Sequence, residues 1–156
     1  MKTLKLTSKD FKKSTSYWSD YIGKEDLSNF SGHVEIDNNL GWVRFDSISV
    51  TGHLWAGSNT GIESSGDIVA GHGIVAGWGI EAGLSITCKE NLNAGYRIFA
   101  GTATWVDNIS DEEKTITCGK LEHGEIAYGI LKETGLPDKE LDIIELNGKK
   151  YREIKE

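Results

Sequence analysis

The sequence predicts an all-β chain built as a triangular parallel β-helix, with three six-residue sides to each coil and small caps at both ends. Three observations predict it. Large aliphatic residues return at every sixth position from Ile62 through Ile68, Ile74, Ile80, Ile86 and Leu92 to Ile98. A small residue stands two places after each of them (Ser64, Ala70, Ala76, Ala82, Cys88, Ala94, Ala100), and glycine usually comes next. Glycine is abundant throughout, with 19 residues against a single proline, which suits regular tight corners better than a disordered tail.

The hexads are IESSGD, IVAGHG, IVAGWG, IEAGLS, ITCKEN, LNAGYR and IFAGTA. Side chains alternate along a strand, so the first and third positions share one side and the second faces the other way. A large and a small inward residue followed by a glycine corner make one short side of a prism. Three sides close a coil, and stacked coils hydrogen-bond as parallel strands. A helix competes poorly: a six-residue spacing builds no stripe on it, and interior glycines would weaken it.

Counting backwards from Ile62, a step of eight across the corner loop GSNTG reaches Leu54, and sixes then reach Ile48, Trp42, Ile36 and Phe30. Forwards, Ile116 restores the phase, and SDEEK at 110–114 is expected to leave the coil as a charged loop. Strict eighteen-residue stacking places Ile62, Ile80, Ile98 and Ile116 in one interior ladder. It places Ile68 with Ile86 in a second, and Leu54, Ile74 and Leu92 in a third. Each buried isoleucine contributes roughly 1.5–3 kcal/mol.

The open ends of such a prism need covers. KTLKL alternates as a strand does, and SKDFKK can begin a short helix capped by Thr7 or Ser8. At the other end EIAYGILK reads as a strand. LDIIEL, Asn147-Gly148 and KKYREI read as a hairpin. The expectation is one domain over 1–156, with an N-terminal cap at 1–29, the repeat at 30–121 and a C-terminal strand and hairpin at 122–156.

The hexads resemble those of the hexapeptide-repeat β-helix proteins, which include acyltransferases and gamma-class carbonic anhydrases, over roughly residues 30–118. That resemblance implies architecture, with left-handed winding, and no activity. The small residue here follows the large one by two positions, where the family usually places it two before. Bactofilins and related polymer-forming proteins make a right-handed triangular β-helix with a similar coil length. The xAGxGI cadence is also similar to a group of proteins from gut bacteria and their phages.

The chemistry these families would need is sparse. An acyltransferase needs a catalytic histidine, and His72 in IVAGHG sits outward, where a histidine is usually solvated. A carbonic anhydrase needs three histidines on zinc. His53 and His72 fall on adjacent coils, with neither a third ligand nor an orienting carboxylate evident. No catalytic residue, metal ligand or cofactor site is expected, and the chain is not expected to be an enzyme. Cys88 and Cys118 both take small inward positions, on different sides of the prism in this register, and read as packing.

Seventeen basic against twenty-four acidic residues give a net charge of −7, which disfavours direct binding to nucleic acid or an anionic membrane. Without an N-terminal apolar segment or a long apolar run, a cytoplasmic protein is expected. Two functions fit: a non-enzymatic scaffold that binds a protein partner or further copies of itself, or an acidic inhibitor, of phage or mobile-element kind, that occupies a nucleic-acid-handling protein. Hexapeptide-type enzymes stand a distant third. Trp78 and Tyr96, eighteen residues apart at the fifth hexad position, are expected outward on adjacent coils. Trp55 and Val75, at second positions, are expected to join them in one apolar protein-binding patch.

Overall fold

The computed structural model describes residues 1–136, 143–146 and 149–152. The chain is all-β, its short strands mostly parallel and gathered in curled, stacked sheets of a solenoid kind.

The chain visits three ladders in turn. The first stacks β1 (Thr3–Leu6), β4 (His33–Ile36), β7 (Leu54–Ala56), β10 (Ile74–Ala76) and the first part of β13 (Asn91–Ala100). The second stacks β3 (Trp18–Tyr21), β5 (Gly41–Phe45), β8 (Thr60–Ser64), β11 (Ile80–Ala82) and the last part of β13. The antiparallel β2 (Phe11–Lys13) lies on the outer edge of β3. The third ladder stacks β6 (Ile48–Val50), β9 (Ile68–Ala70), β12 (Ile86–Cys88), β14 (Thr115–Cys118) and β16 (Ile130–Glu133). Because β13 rounds a corner, as does its partner β15 (Lys120–Tyr128), the first two ladders form one eleven-stranded sheet. The hairpin of β17 (Ile143–Leu146) and β18 (Lys149–Arg152) pairs antiparallel, and the Asn147-Gly148 turn lies outside the described residues.

The hexad pattern produces this directly. Ile62, Ile68, Ile74, Ile80, Ile86, Leu92, Ile98 and Ile116 are all fully buried, and Ala70, Ala76, Ala82, Cys88, Ala94 and Ala100 fill the small inward positions. Ser64, the polar member of that set, donates from Oγ to the carbonyl oxygens of Asp67 (3.1 Å) and Asp46 (3.3 Å), so its burial leaves no orphan. Thr7 caps a single 3-10 turn at Ser8–Asp10 through a capping box, in the place where the sequence asks for one.

The corner glycines have a steric reason. A Cβ at Gly71, Gly77, Gly83 or Gly95 would fall on the carbonyl oxygen of Thr51, Gly57, Ser65 or Gly77 in the preceding coil. Each of these glycines also donates its N–H to that coil: Gly83 to Ser64 at 2.8 Å, Gly95 to Trp78 at 2.9 Å. Coils can stack at strand spacing here only where the side chain is absent.

Three expectations of register are corrected. Trp42 does not point inward; Val43 and Phe45 on the same strand do, opposite Ile62 and Ser64. Phe30 and Ile36 are buried but sit opposite the small-position residues Val50 and Ala56, not opposite the large ones. Ile116 stacks on Ile86, not on Ile98. Successive partners in the third ladder are 20 residues apart (Ile48 to Ile68), then 18 (Ile68 to Ile86), then 30 (Ile86 to Ile116). The loop before β14 therefore adds twelve residues to a coil. Twelve preserves the hexad phase, which is why the count looked unbroken, yet it moves the strand to a different face. For the same reason Cys88 and Cys118 lie on one ladder and not on different sides, each buried and unpaired.

Candidate functional site

The outward residues of the second ladder build the most distinctive surface. Its strands alternate inward and outward, so the outward columns read Trp18, Trp42, Gly61 in one row and Asp20, Arg44, Glu63, Glu81, Phe99 in the next. Trp42 has room because its neighbours lack side chains. A Cβ at Gly61 would meet the indole at 2.8 Å, and one at Gly79 would meet it at 2.8 Å as well. The ring thus lies across two glycines of the following coils.

Trp78 and Tyr96 enter from the corner between the first and second ladders. The Trp78 N–H donates to Thr60 O at 3.1 Å, and Gly95 N–H donates to Trp78 O at 2.9 Å, so the two aromatic corners stack on adjacent coils. Trp42, Trp78, Tyr96 and Phe99, with Gly79 and Arg97, line an open groove of about 390 Å³. Tyr96 is 66% exposed at its rim.

Trp55 and Val75 are register partners on the first ladder and do not line this groove. Trp55, 45% exposed, is instead stacked on the His53 ring, with centroids 3.7 Å apart and planes at 14°. His53 in turn stacks on His33 at 3.9 Å, and His72 meets His33 edge-on at 5.9 Å. The expected single patch is therefore two neighbouring features, an aromatic groove and an imidazole–indole column. The column also supplies what the sequence hid from view: a third histidine, and carboxylates beside the rings, with Glu35 3.4 Å from His53 and Glu90 3.7 Å from His72. His33 Nδ1 accepts the His53 backbone N–H at 2.9 Å. Burial and the two neighbouring histidines hold the His33 pKa below its ordinary value. Among the described residues no group of three or more His, Cys, Asp or Glu side chains is arranged to hold a metal ion.

The electrostatics of the second ladder are uneven. Arg44 is paired with Asp20 at 2.9 Å, and its guanidinium lies 5.4 Å from the Trp18 ring centre. Arg97 is paired more loosely with Glu125 at 3.7 Å. That leaves Glu63 and Glu81, opposite each other on adjacent strands, with no ion-pair partner among the described residues. Burial, followed by repulsion from Glu81, raises the Glu63 pKa, against the opposing pull of Arg44 and a hydrogen bond from Trp18. One oxygen of Glu63, Oε2, is buried without a hydrogen-bond partner. A larger hollow of about 550 Å³ lies beside the N-terminal strands, lined by Asp20, Glu25, Asp26 and Asp46 around Arg44.

The cysteines belong to the core. Burial pushes the Cys88 thiol up to about 12 and the Cys118 thiol up to about 11, so neither is poised as a nucleophile. No helix among the described residues is long and apolar enough to cross a membrane. Sequence reasoning missed Trp42, Phe99, Glu63 and Glu81. The second-position rule that selects Trp55 and Val75 also points outward at Phe99, Glu63 and Glu81. No protein-family model, curated protein or solved structure matches this chain.

Proposed function

We propose that the three ladders are the sides of a triangular, left-handed β-helix, and that this prism is a non-enzymatic platform that binds a protein through its aromatic groove. The eighteen-residue steps within each ladder, where no loop intervenes, support the three-sided coil. One observation carries the binding reading: four aromatic rings converge on an open groove supported by continuous backbone pairing. Trp42 and Phe99 stand on the outer side of strands whose inward residues fill the core. Tryptophan and tyrosine are the usual anchors of protein interfaces, being large, rigid and amphipathic. A groove held by stacked strands offers them preorganised, which lowers the ordering cost of association.

The partner is a different protein or a second copy. Mutating Trp78 and Tyr96 to serine together tests this, with light scattering after size exclusion and thermal melting as the two readouts. Loss of association at unchanged melting temperature is expected. A large fall in melting temperature instead assigns the rings to the fold's own packing, and no change in either removes the groove from the function.

A second reading, the acidic inhibitor, draws on the net charge of −7 and on the unpaired Glu63 and Glu81. It keeps the groove and makes the partner a nucleic-acid-handling protein. Competition between this chain and duplex DNA for such a partner separates the two readings.

A further inference from the structure

The groove and the acid pair beside it define the chemistry of what binds there. We propose that the groove receives an arginine side chain of the partner protein, its stem lying along Trp42, Trp78 and Tyr96 and its guanidinium facing Glu81, the neighbour of Glu63. This rests on the groove being the binding surface.

The placement of Glu81 follows from the strand. It stands two residues beyond Gly79, which lines the groove, and so points to the same side; its register partner on the next strand is Phe99, which also lines it. Glu63 is its register partner on the preceding strand. The charges on this face are Asp20, Arg44, Glu63, Glu81, Arg97 and Glu125. Two ion pairs, Asp20–Arg44 and Arg97–Glu125, account for four of them. The surplus is two carboxylates on neighbouring strands, roughly 5 Å apart along the stack. Like charges held that close destabilise each other; burial first, and repulsion from Glu81 second, raise the Glu63 pKa. A cation seated beside Glu81 relieves the repulsion.

Arginine fits better than lysine on two counts. Its flat, weakly hydrated head stacks on aromatic faces and retains five N–H donors at its edge. The two oxygens of the Glu81 carboxylate match the paired donors at the guanidinium edge. Arg97 at the groove edge is turned toward Glu125, 3.7 Å away.

The test uses the intact protein and three short capped peptides, identical except for arginine, citrulline or glutamine at the centre. Citrulline keeps arginine's shape without its charge. Binding is followed by the indole N–H resonances of the five tryptophans. The arginine peptide is expected to shift the Trp42 and Trp78 resonances saturably, at least fivefold more tightly than citrulline. Glu81→Gln should remove that preference, and Glu63→Gln should weaken it; both positions face outward, and an unchanged spectrum elsewhere verifies the fold. Equal binding of arginine and citrulline overturns the cation assignment while leaving the groove a docking surface. Shifts confined to Trp55, or none at all, overturn the proposal. In that case the association data on the Trp78/Tyr96 serine variant decide separately whether the groove binds anything.

Discussion

Replacing Gly83 by alanine probes the stacking of coils more sharply than any change to the apolar core. The added Cβ would lie on the Ser65 carbonyl oxygen, far inside the 3.0 Å that real Cβ contacts respect, and 3.3 Å from the Ala103 Cβ on its other side. Neither obstacle is the end of a flexible side chain, so two coils must separate locally. That strains the Gly83 N–H bond to Ser64, now 2.8 Å, and the Ala103 N–H bond to Gly83, now 2.9 Å. Overpacking of this kind costs about 1–3 kcal/mol, and a weakened hydrogen bond adds about 1 kcal/mol. A chain of this size loses about 2–4 °C of melting temperature per kcal/mol, so a fall of roughly 4–16 °C is expected. Gly66→Ala is the matched control: its Cβ would meet the Asp46 carbonyl at 3.3 Å, a contact that a few tenths of an ångström relieves. Its melting temperature should stay within about 2 °C of wild type. Differential scanning calorimetry of the pair decides the matter. Equal behaviour of the two variants would refute the claim that corner glycines are fixed by the carbonyl of the coil beneath.

Three further outcomes are expected. Ile80→Asp places a carboxylate between Ile62 and Ile98 with no donor nearby, a loss of more than about 4 kcal/mol that should leave the chain unfolded by circular dichroism; a native-like melt would mean the inward register is wrong. Cys88 and Cys118 should resist thiol reagents at pH 8 for as long as the protein is folded, their thiols lying near 12 and 11, and fast native labelling of either would contradict their burial. The third concerns pH. His33, facing His53, His72, the N-terminal amine and Glu35, has a folded pKa below its ordinary 6.5, so the unfolded chain binds its proton first. The stability it contributes is complete above about pH 6.5 and is lost as pH falls through the folded value. His33→Asn, which retains an acceptor for the His53 N–H, should flatten the melting-temperature profile between pH 7.5 and 5.5; a profile unchanged from wild type would exclude His33 as its source.

The core was legible because the repeat writes it twice, once in isoleucine and once in the small residue that follows. Leu54, Ile74 and Leu92 fell into the ladder expected of them for that reason. Where the repeat is not six residues long, the sequence misleads. In GWVRF, Val43 and Phe45 compete with Trp42 and Arg44 for the interior, and counting by sixes selects the wrong pair. The loop before Ile116 misleads more subtly. Hydrophobic phase repeats every six residues, but ladder partners without an intervening loop here stand eighteen apart, so an insert of twelve leaves no trace in the pattern while carrying Cys118 to the ladder of Cys88. The histidine column was illegible for a related reason. His33 and His53 are 20 residues apart, and only the lengths of the intervening corners bring them into one stack.

The outward columns of the second and third ladders differ in a way that their inward residues do not explain. All three ladders meet the same inward demand, and their inward residues are nearly interchangeable. The outward column of the third ladder reads Ser49, Val69, Thr87, Thr117 and Lys132, ordinary residues for a solvated strand. On the second ladder the equivalent column reads Arg44, Glu63, Glu81 and Phe99, with Trp42 laid across two glycines beside it. Glu63 and Glu81 repel each other, and the exposed Tyr96 lacks the cover a large ring would have in the core. The repulsion and the exposed ring lower the stability of the isolated chain or leave it unimproved. A solenoid can carry such a face because its core is satisfied coil by coil from within. The cost of the acid pair and the exposure of the rings are both removed by the same event, the seating of a cationic, partly apolar side chain in the groove. One occupant accounts for the aromatic rings and the surplus charge together, whereas self-cover by an apolar segment would account for the rings alone.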